Sequence, residues 1–159
     1  MRNGFISYAH EDHRLFQEFR KHLRAIERAF GIGFWSDERL DVGYHWGREI
    51  LSHIETADLF VLLISPAFLA SDYICDKELP AIEARHAASD QALILPVVLE
   101  PCFWQLIGAH WQAAPTEHGS VKAIASWRPR NQGHDRARAA ITESIQTFYG
   151  QAPVPLVTR

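Results

Sequence analysis

Between Asp58 and Ser65 the chain reads Leu-Phe-Val-Leu-Leu-Ile, with no polar residue inside the run. A strand with one wet face alternates apolar and polar side chains, so an unbroken apolar run needs cover on both faces. That is the pattern of a central strand in a parallel sheet, and such a sheet requires helices above and below it. A second run, Ala92 to Leu99, carries Leu-Ile-Leu-Pro-Val-Val and has the same character. Its Pro96 has no N–H for a ladder, which places this strand near an edge or makes it irregular at that point.

The rest of the chain supplies the alternation this sheet demands. Gly4-Phe5-Ile6-Ser7 is a short strand. Leu15, Phe16, Phe19, Leu23, Ile26 and Phe30 recur three and four apart, one apolar stripe of a long helix. Asp12 is its expected N-cap, and Gly31 and Gly33 its stop. Gly33-Phe34-Trp35 is a second strand, followed by a polar loop from Ser36 to Tyr44 that Gly43 closes. Trp46, Ile50, Ile54 and Ala57 mark a second helix. Residues Pro66 to Ser89 must hold another, with Leu79, Ile82 and Ala87 pointing inward. A weaker fifth strand is expected at Val121 to Ala125, and Ala137, Ile141, Ile145 and Phe148 form the stripe of a last helix.

Five strands alternating with helices predict an α/β fold with a parallel sheet and helices on both faces. Loops at the carboxyl ends of the strands then form the binding crevice. The expected organisation is one domain over residues 1–150, with 151–159, which carries Pro153 and Pro155, as a tail or linker.

Several function classes fall away on composition and motif. A net charge of −3 gives no basic footprint for nucleic acid or an anionic membrane. No apolar run approaches the roughly 18 residues of a membrane helix. Met1-Arg2-Asn3-Gly4-Phe5 has neither a signal-peptide apolar core nor a cleavage site, so a cytoplasmic location is expected. There is no glycine-rich dinucleotide fingerprint, no phosphate-binding Gly-Lys-Ser/Thr loop and no Gly-x-Ser-x-Gly elbow. His10 and His13 flank Glu11 and Asp12, but at a loop-to-helix junction these residues serve as a polar cap, and no metal site is expected. The two cysteines, Cys75 and Cys102, are too few for a disulfide framework.

Three stretches, taken in order, resemble one family. Phe5-Ile6-Ser7-Tyr8-Ala9-His10-Glu11-Asp12 is similar to the first strand and loop of a TIR (Toll/interleukin-1 receptor homology) domain. The stretch from Phe34-Trp35-Ser36-Asp37-Glu38-Arg39 through Gly43-Tyr44-His45-Trp46 resembles that family's second strand and BB loop. Ile64-Ser65-Pro66, continuing through Ser71-Asp72-Tyr73-Ile74-Cys75-Asp76-Lys77-Glu78-Leu79, resembles its third strand and the helix after it. The similarity spans about residues 3 to 150. It implies a flavodoxin-like three-layer sandwich with a five-stranded parallel sheet of order 2-1-3-4-5.

The resemblance also implies two kinds of function. Many bacterial TIR domains cleave NAD+ at the nicotinamide–ribose bond, some cyclising the product, and others are interaction modules that bind one another. In the cleaving members the catalytic residue is the glutamate of a Cys-x-x-Glu-Leu motif, which here is Glu78. One carboxylate is enough for that chemistry. Nicotinamide leaves a cationic pyridinium as a neutral molecule and needs no general acid, while positive charge develops on the ribose beside the carboxylate. The plain alternative is that Glu78 is a solvated helix carboxylate.

Position at the strand ends adds Ser7, Tyr8, Phe34, Trp35 and Asp37 as substrate-binding candidates, the stretch resembling the BB loop and the helix after it adds Arg39 and Trp46, and the motif stretch adds Tyr73 and Cys75. Tyr8 either stacks on a base or packs beneath the loop. Arg39 either forks onto a phosphate or is a solvated loop charge. Trp46 has the alternative of packing as the first core residue of its helix, Cys75 of being a small buried apolar residue, and Asp37 of bracing the loop. The family places a Trp immediately before the motif Cys, where this chain has Ile74, with Tyr73 one position earlier. A one-residue shift turns a side chain about 100° around a helix, so Tyr73 takes over that role only if the stretch is a loop.

The implied partners are NAD+ as substrate, with no separate cofactor, other TIR protomers, and a sensor domain or separate sensor protein. The chain is thus expected to be the output module of a bacterial immune or stress response. The other readings are a non-enzymatic scaffold assembling through the BB loop, or a host-directed TIR mimic.

Overall fold

A computed structural model describes residues 2–38, 46–108 and 111–157. Along the chain run β1 (Arg2–Ser7), α1 (His13–Phe30), β2 (Ile32–Ser36), α2 (Trp46–Thr56), β3 (Leu59–Ile64) and α3 (Pro66–Ala70). A π-helical turn (Ile74–Glu78) leads directly into α4 (Leu79–Ala88). Then come β4 (Leu93–Val98), the two-residue strands β5 (Thr116–Glu117) and β6 (Ser120–Val121), and α5 (Arg130–Tyr149).

The long apolar run is the centre of the fold. All six residues of β3 are buried, and β3 pairs in parallel with β1 on one side and β4 on the other. With β2 beyond β1, the described sheet has the order β2-β1-β3-β4. The strand's period of two splits the core. Leu59, Val61 and Leu63 pack with Phe16, Phe19 and Leu23 of α1 and with Ile141 and Ile145 of α5. Phe60, Leu62 and Ile64 pack with Ile50 and Ile54 of α2, Phe68 of α3 and Ile82 of α4. Helices thus cover both faces, and each such fully buried side chain contributes about 1.5–3 kcal/mol.

Local chemistry sets the boundaries. Gly31 ends α1 with φ +64, where its N–H bonds Glu27 O, a left-handed cap that favours glycine. Gly4 is required for a different reason, since a Cβ there would run into the Phe34 ring on the neighbouring strand. Pro96 lies in β4, opposite Leu62. Its carbonyl accepts from Ala114 N on the outer side, at 2.9 Å. N–H and C=O of one strand residue point the same way, so the missing donor also faces the edge and the β3 ladder is intact.

The structure corrects four expectations. The fifth parallel strand at Val121–Ala125 does not form. Only Ser120–Val121 is extended, and it pairs antiparallel with Thr116–Glu117. His118 (φ 52) and Gly119 (φ 81) make the tight two-residue turn that commits this segment to its neighbour in sequence. The place beside β4 is taken by a single parallel bridge, Val97 to Ala114, and Pro115 follows with no N–H to extend it. Residues Ile124–Ser126 are a 3-10 turn.

Ala87 is exposed, because the inward stripe of that region falls on Ile74, Glu78 and Ile82, four residues apart. Phe148 is exposed as well, and Tyr149, four residues after Ile145, packs against the core in its place. Asp12 stands at the N-cap position of α1 but makes no side-chain cap bond; its carboxylate is engaged elsewhere. Beyond α5 the chain turns back onto the end of α1. Gln151 Nε2 donates to Phe30 O at 3.2 Å and Val154 N to Ala29 O at 2.7 Å.

Candidate active site

Two serines at the carboxyl ends of the central strands organise the site, each engaging a carboxylate that follows the other strand. Ser7, the last residue of β1, donates from Oγ to Glu78 Oε1 at 2.9 Å. Ser65, directly after β3, donates from Oγ to Asp12 Oδ2, and its Oγ also accepts from Phe68 N at 3.0 Å, capping α3. Ser7, Ser65, Asp12 and Glu78 are all buried. The crossed pairs tie the segment after β1 to β3 and the segment after β3 to β1.

Glu78 reaches the strand ends because of the turn that carries it. Leu79 N bonds back to Ile74 O, five residues earlier, and this wider turn sets Glu78 inward just before Pro80 opens α4. Its residue is 7% exposed. Burial pushes its carboxyl from an ordinary 4.5 up to about 7, with the Ser7 hydroxyl pulling it down and the Asp37 charge adding to the rise. Burial also raises the Asp12 carboxyl, against the pull of Ser65.

Glu78 lies at the wall of a cleft of about 620 Å³, a size typical of small-molecule sites. Phe5, Ile50 and Ile74 supply apolar lining. Tyr8, His10, Glu11, Asp37 and Tyr73 supply the polar edge. Tyr8 is 5% exposed, stacks on Phe16 at 4.0 Å between centroids, and donates from Oη to the Asp37 carbonyl at 2.7 Å. It therefore packs beneath the loop and holds the backbone of Asp37. Burial holds its phenol well above the usual range. His10 Nε2 stands 3.7 Å from Asp37 Oδ2. Tyr73 is 36% exposed, with Oη 3.4 Å from Gly47 O at the start of α2. The stretch around it is helical rather than a loop, and Tyr73 still borders the cleft, because the cleft extends over both the helix edge and the Ile74 floor.

The structure thus brings Ser7, Tyr8, Asp37, Tyr73 and Glu78 together. Three other candidates stand apart from the cleft lining. Phe34 points to the α1 side of the sheet and packs in that core. Trp35 points to the other side and stacks on Phe5 (5.7 Å) and His53 (4.0 Å). Successive strand residues face opposite sides, so the pair were never able to share one pocket. The Cys75 thiol donates to Leu69 O at 3.5 Å, and burial pushes it up, away from thiolate character. Arg39 and the side chain of Trp46 lie outside the described residues.

Sequence reasoning assigns His10 and Glu11 to a polar cap rather than to the cleft they line, and does not pair Asp12 with Ser65. Ser65-Pro66 at a strand end did carry a readable sign, a capping residue followed by proline at the first helical position. Nothing local marks Asp12 as its partner, 53 residues away. Chemically, the ionisable side chains of the described lining are acidic or phenolic apart from His10, and burial pushes the Glu78 carboxyl up to about 7. Such a wall suits a ligand with a cationic or cation-developing centre at Glu78. Among the described residues no group of three or more His, Cys, Asp or Glu is placed to hold a metal ion, and no helix is long and apolar enough to cross a membrane.

A family model described as TIR domain matches residues 5–136. An uncharacterized protein of Sinorhizobium fredii (strain NBRC 101917 / NGR234), y4lF, is 38% identical over 155 residues, which cover 98% of this chain and 47% of the relative. The chain therefore spans about half the length of that curated relative.

Proposed function

This chain belongs to the TIR domain family, and from that premise we propose that it is an NAD+ glycohydrolase that cleaves the nicotinamide–ribose bond. The observation that carries the reading is Glu78, a buried carboxyl with a pKa of about 7, fixed by Ser7 at the wall of the cleft. The family includes NAD+-cleaving members, and Glu78 stands in their Cys-x-x-Glu-Leu motif.

In the proposed reaction the ribose C1′–N bond breaks and both its electrons leave with neutral nicotinamide. The positive charge left on the ribose faces the Glu78 carboxylate, which stabilises it and accepts hydrogen bonds from the ribose hydroxyls. Water then attacks C1′ and gives up a proton, and a carboxylate titrating near 7 is suited to receive it. The products are ADP-ribose, nicotinamide and a proton. Attack by an adenine nitrogen of the same molecule gives a cyclic product instead.

The wider role belongs to the same proposal: an output module of a bacterial immune or stress response, self-associating with other TIR protomers and driven by a sensor domain or a separate sensor protein. The test is to incubate the protein at high concentration with NAD+ and follow free nicotinamide, beside Glu78→Ala and Glu78→Gln. Release is expected from the unaltered protein, falling at least about a hundredfold in both variants. No release from folded, self-associated protein overturns the enzymatic reading in favour of a TIR scaffold. Release that survives both substitutions overturns the role of Glu78.

A further inference from the structure

A second cavity, of about 340 Å³, opens between α1 and α5 and shares no lining residue with the Glu78 cleft. Its walls are Glu18, Lys21 and His22 from α1 and Arg130, Asn131 and His134 from α5. His134 is 3% exposed, and neither of its ring nitrogens makes a hydrogen bond. Glu18 Oε2 lies 3.5 Å from its Nε2, at a length where little hydrogen bonding remains. The ring is held in place by stacking on His22 at 5.1 Å and Phe19 at 5.8 Å. Burial, and then the neighbouring His22, favour its neutral form against the pull of the Glu18 carboxylate, and that form carries one N–H donor. A buried donor with no partner is a standing cost that a ligand oxygen would relieve.

The surroundings specify the ligand. Arg130 and Asn131 lie in the first turn of the 20-residue α5, a turn that no side chain caps. The positive end of a long helix therefore faces the cavity. Lys21 and Arg130 add two cations against the single carboxylate of Glu18. Arg130 Nη2 bonds Glu18 Oε1 at 2.9 Å, with the two side chains 44% and 31% exposed, and an ion pair this open to water contributes at most about 1 kcal/mol, so Arg130 can exchange this partner.

We infer that this cavity binds a phosphate group, with the His134 imidazole at its floor and Arg130, Lys21, Asn131 and the start of α5 around its mouth. The phosphate is that of the free ion or of a small monoester. In either case Arg130 leaves Glu18 to grip the phosphate oxygens as a fork.

The test is an NMR titration of the isotope-labelled full chain with inorganic phosphate, and separately with ribose 5-phosphate, at ionic strength held constant with sodium chloride. Saturable shifts are expected at the His134 and His22 imidazoles and the Asn131 and Gln132 amides. Arg130→Gln and Lys21→Gln are each expected to weaken binding about tenfold, and Glu18→Gln to tighten it. Both cationic residues are exposed, so these variants leave the core in place, and the remainder of the spectrum verifies that. Tighter binding of the sugar phosphate identifies a monoester as the ligand, and equal or weaker binding identifies the free ion. Shifts that track chloride alone, or a titration unchanged in Arg130→Gln and Lys21→Gln, overturn the inference.

Discussion

Ser7 Oγ and Glu78 Oε1 are joined by a 2.9 Å hydrogen bond that spans 71 residues of chain and lies out of water. The bond fixes one carboxyl oxygen against the end of β1. It also opposes burial, which by itself favours the protonated acid. Ser7 is therefore a positioning residue in the proposed reaction, holding Glu78 in place and in charge.

The pH dependence follows directly. The carboxylate is the form that stabilises a positive ribose, so kcat/KM for nicotinamide release is expected to rise as pH increases through about 7. Ser7→Ala removes the donor that favours the carboxylate, and the rise moves to higher pH. A pH profile of kcat/KM for both proteins measures this. A midpoint that does not move in Ser7→Ala removes the assigned role of the hydroxyl.

The same shift makes Glu78 costly to stability. Its folded pKa, about 7, lies above its ordinary 4.5, so between these values the folded state holds a proton that the unfolded state has released. Stability therefore falls as pH rises through that window, by about 3 kcal/mol at most from this group, and the loss is complete above pH 7. Glu78→Gln carries no charge and escapes it. Urea unfolding is expected to show the variant more stable than the parent at pH 8 and nearly equal to it at pH 4.5. An equal difference at both values would mean that Glu78 is not paying a desolvation cost.

How much of this was legible depends on whether a residue's neighbours lie near it in sequence. The run Leu59–Ile64 announced a strand buried on both faces because only apolar side chains survive there, and β3 is that strand. Val121–Ala125 has strand-like composition, yet the turn at His118–Gly119 captures its start for a local hairpin, a competition that composition does not register. Phe34 and Trp35 are neighbours at one strand end, and only alternation along β2, which turns them to opposite sides of the sheet, separates them. Glu78 is hardest of all. A carboxylate on a helix looks solvated until its Ser7 partner and its wide turn are seen, so only motif resemblance pointed to it.

The second serine–carboxylate pair has a structural consequence. Ser65 Oγ at once donates to the buried Asp12 carboxylate and caps α3 through Phe68 N. Ser65→Ala strands both partners, and the expected loss is about 1–3 kcal/mol. Chemical denaturation measures it. A loss under about 0.5 kcal/mol, the scale of a neutral surface change, would mean that the pair does not hold the strand ends together.

Tyr73 separates binding from fold. It borders the cleft opposite Gly47, yet it is 36% exposed and its hydroxyl sits 3.4 Å from the Gly47 carbonyl. At that length the hydrogen bond contributes little, so Tyr73→Phe is expected to behave like the parent. Tyr73→Ala removes the ring, and a lost aromatic contact of about 1–1.5 kcal/mol raises KM for NAD+ about tenfold with kcat and unfolding midpoint little changed. Phe34→Leu makes the contrast. Phe34 lies in the α1 core and not in the cleft, so its truncation lowers the unfolding midpoint and leaves KM alone. Steady-state kinetics beside thermal unfolding of the three variants distinguishes the roles. If Tyr73→Ala lowers kcat with KM intact, the ring acts in bond cleavage rather than in holding the substrate, and the reading of Tyr73 as a binding surface is wrong.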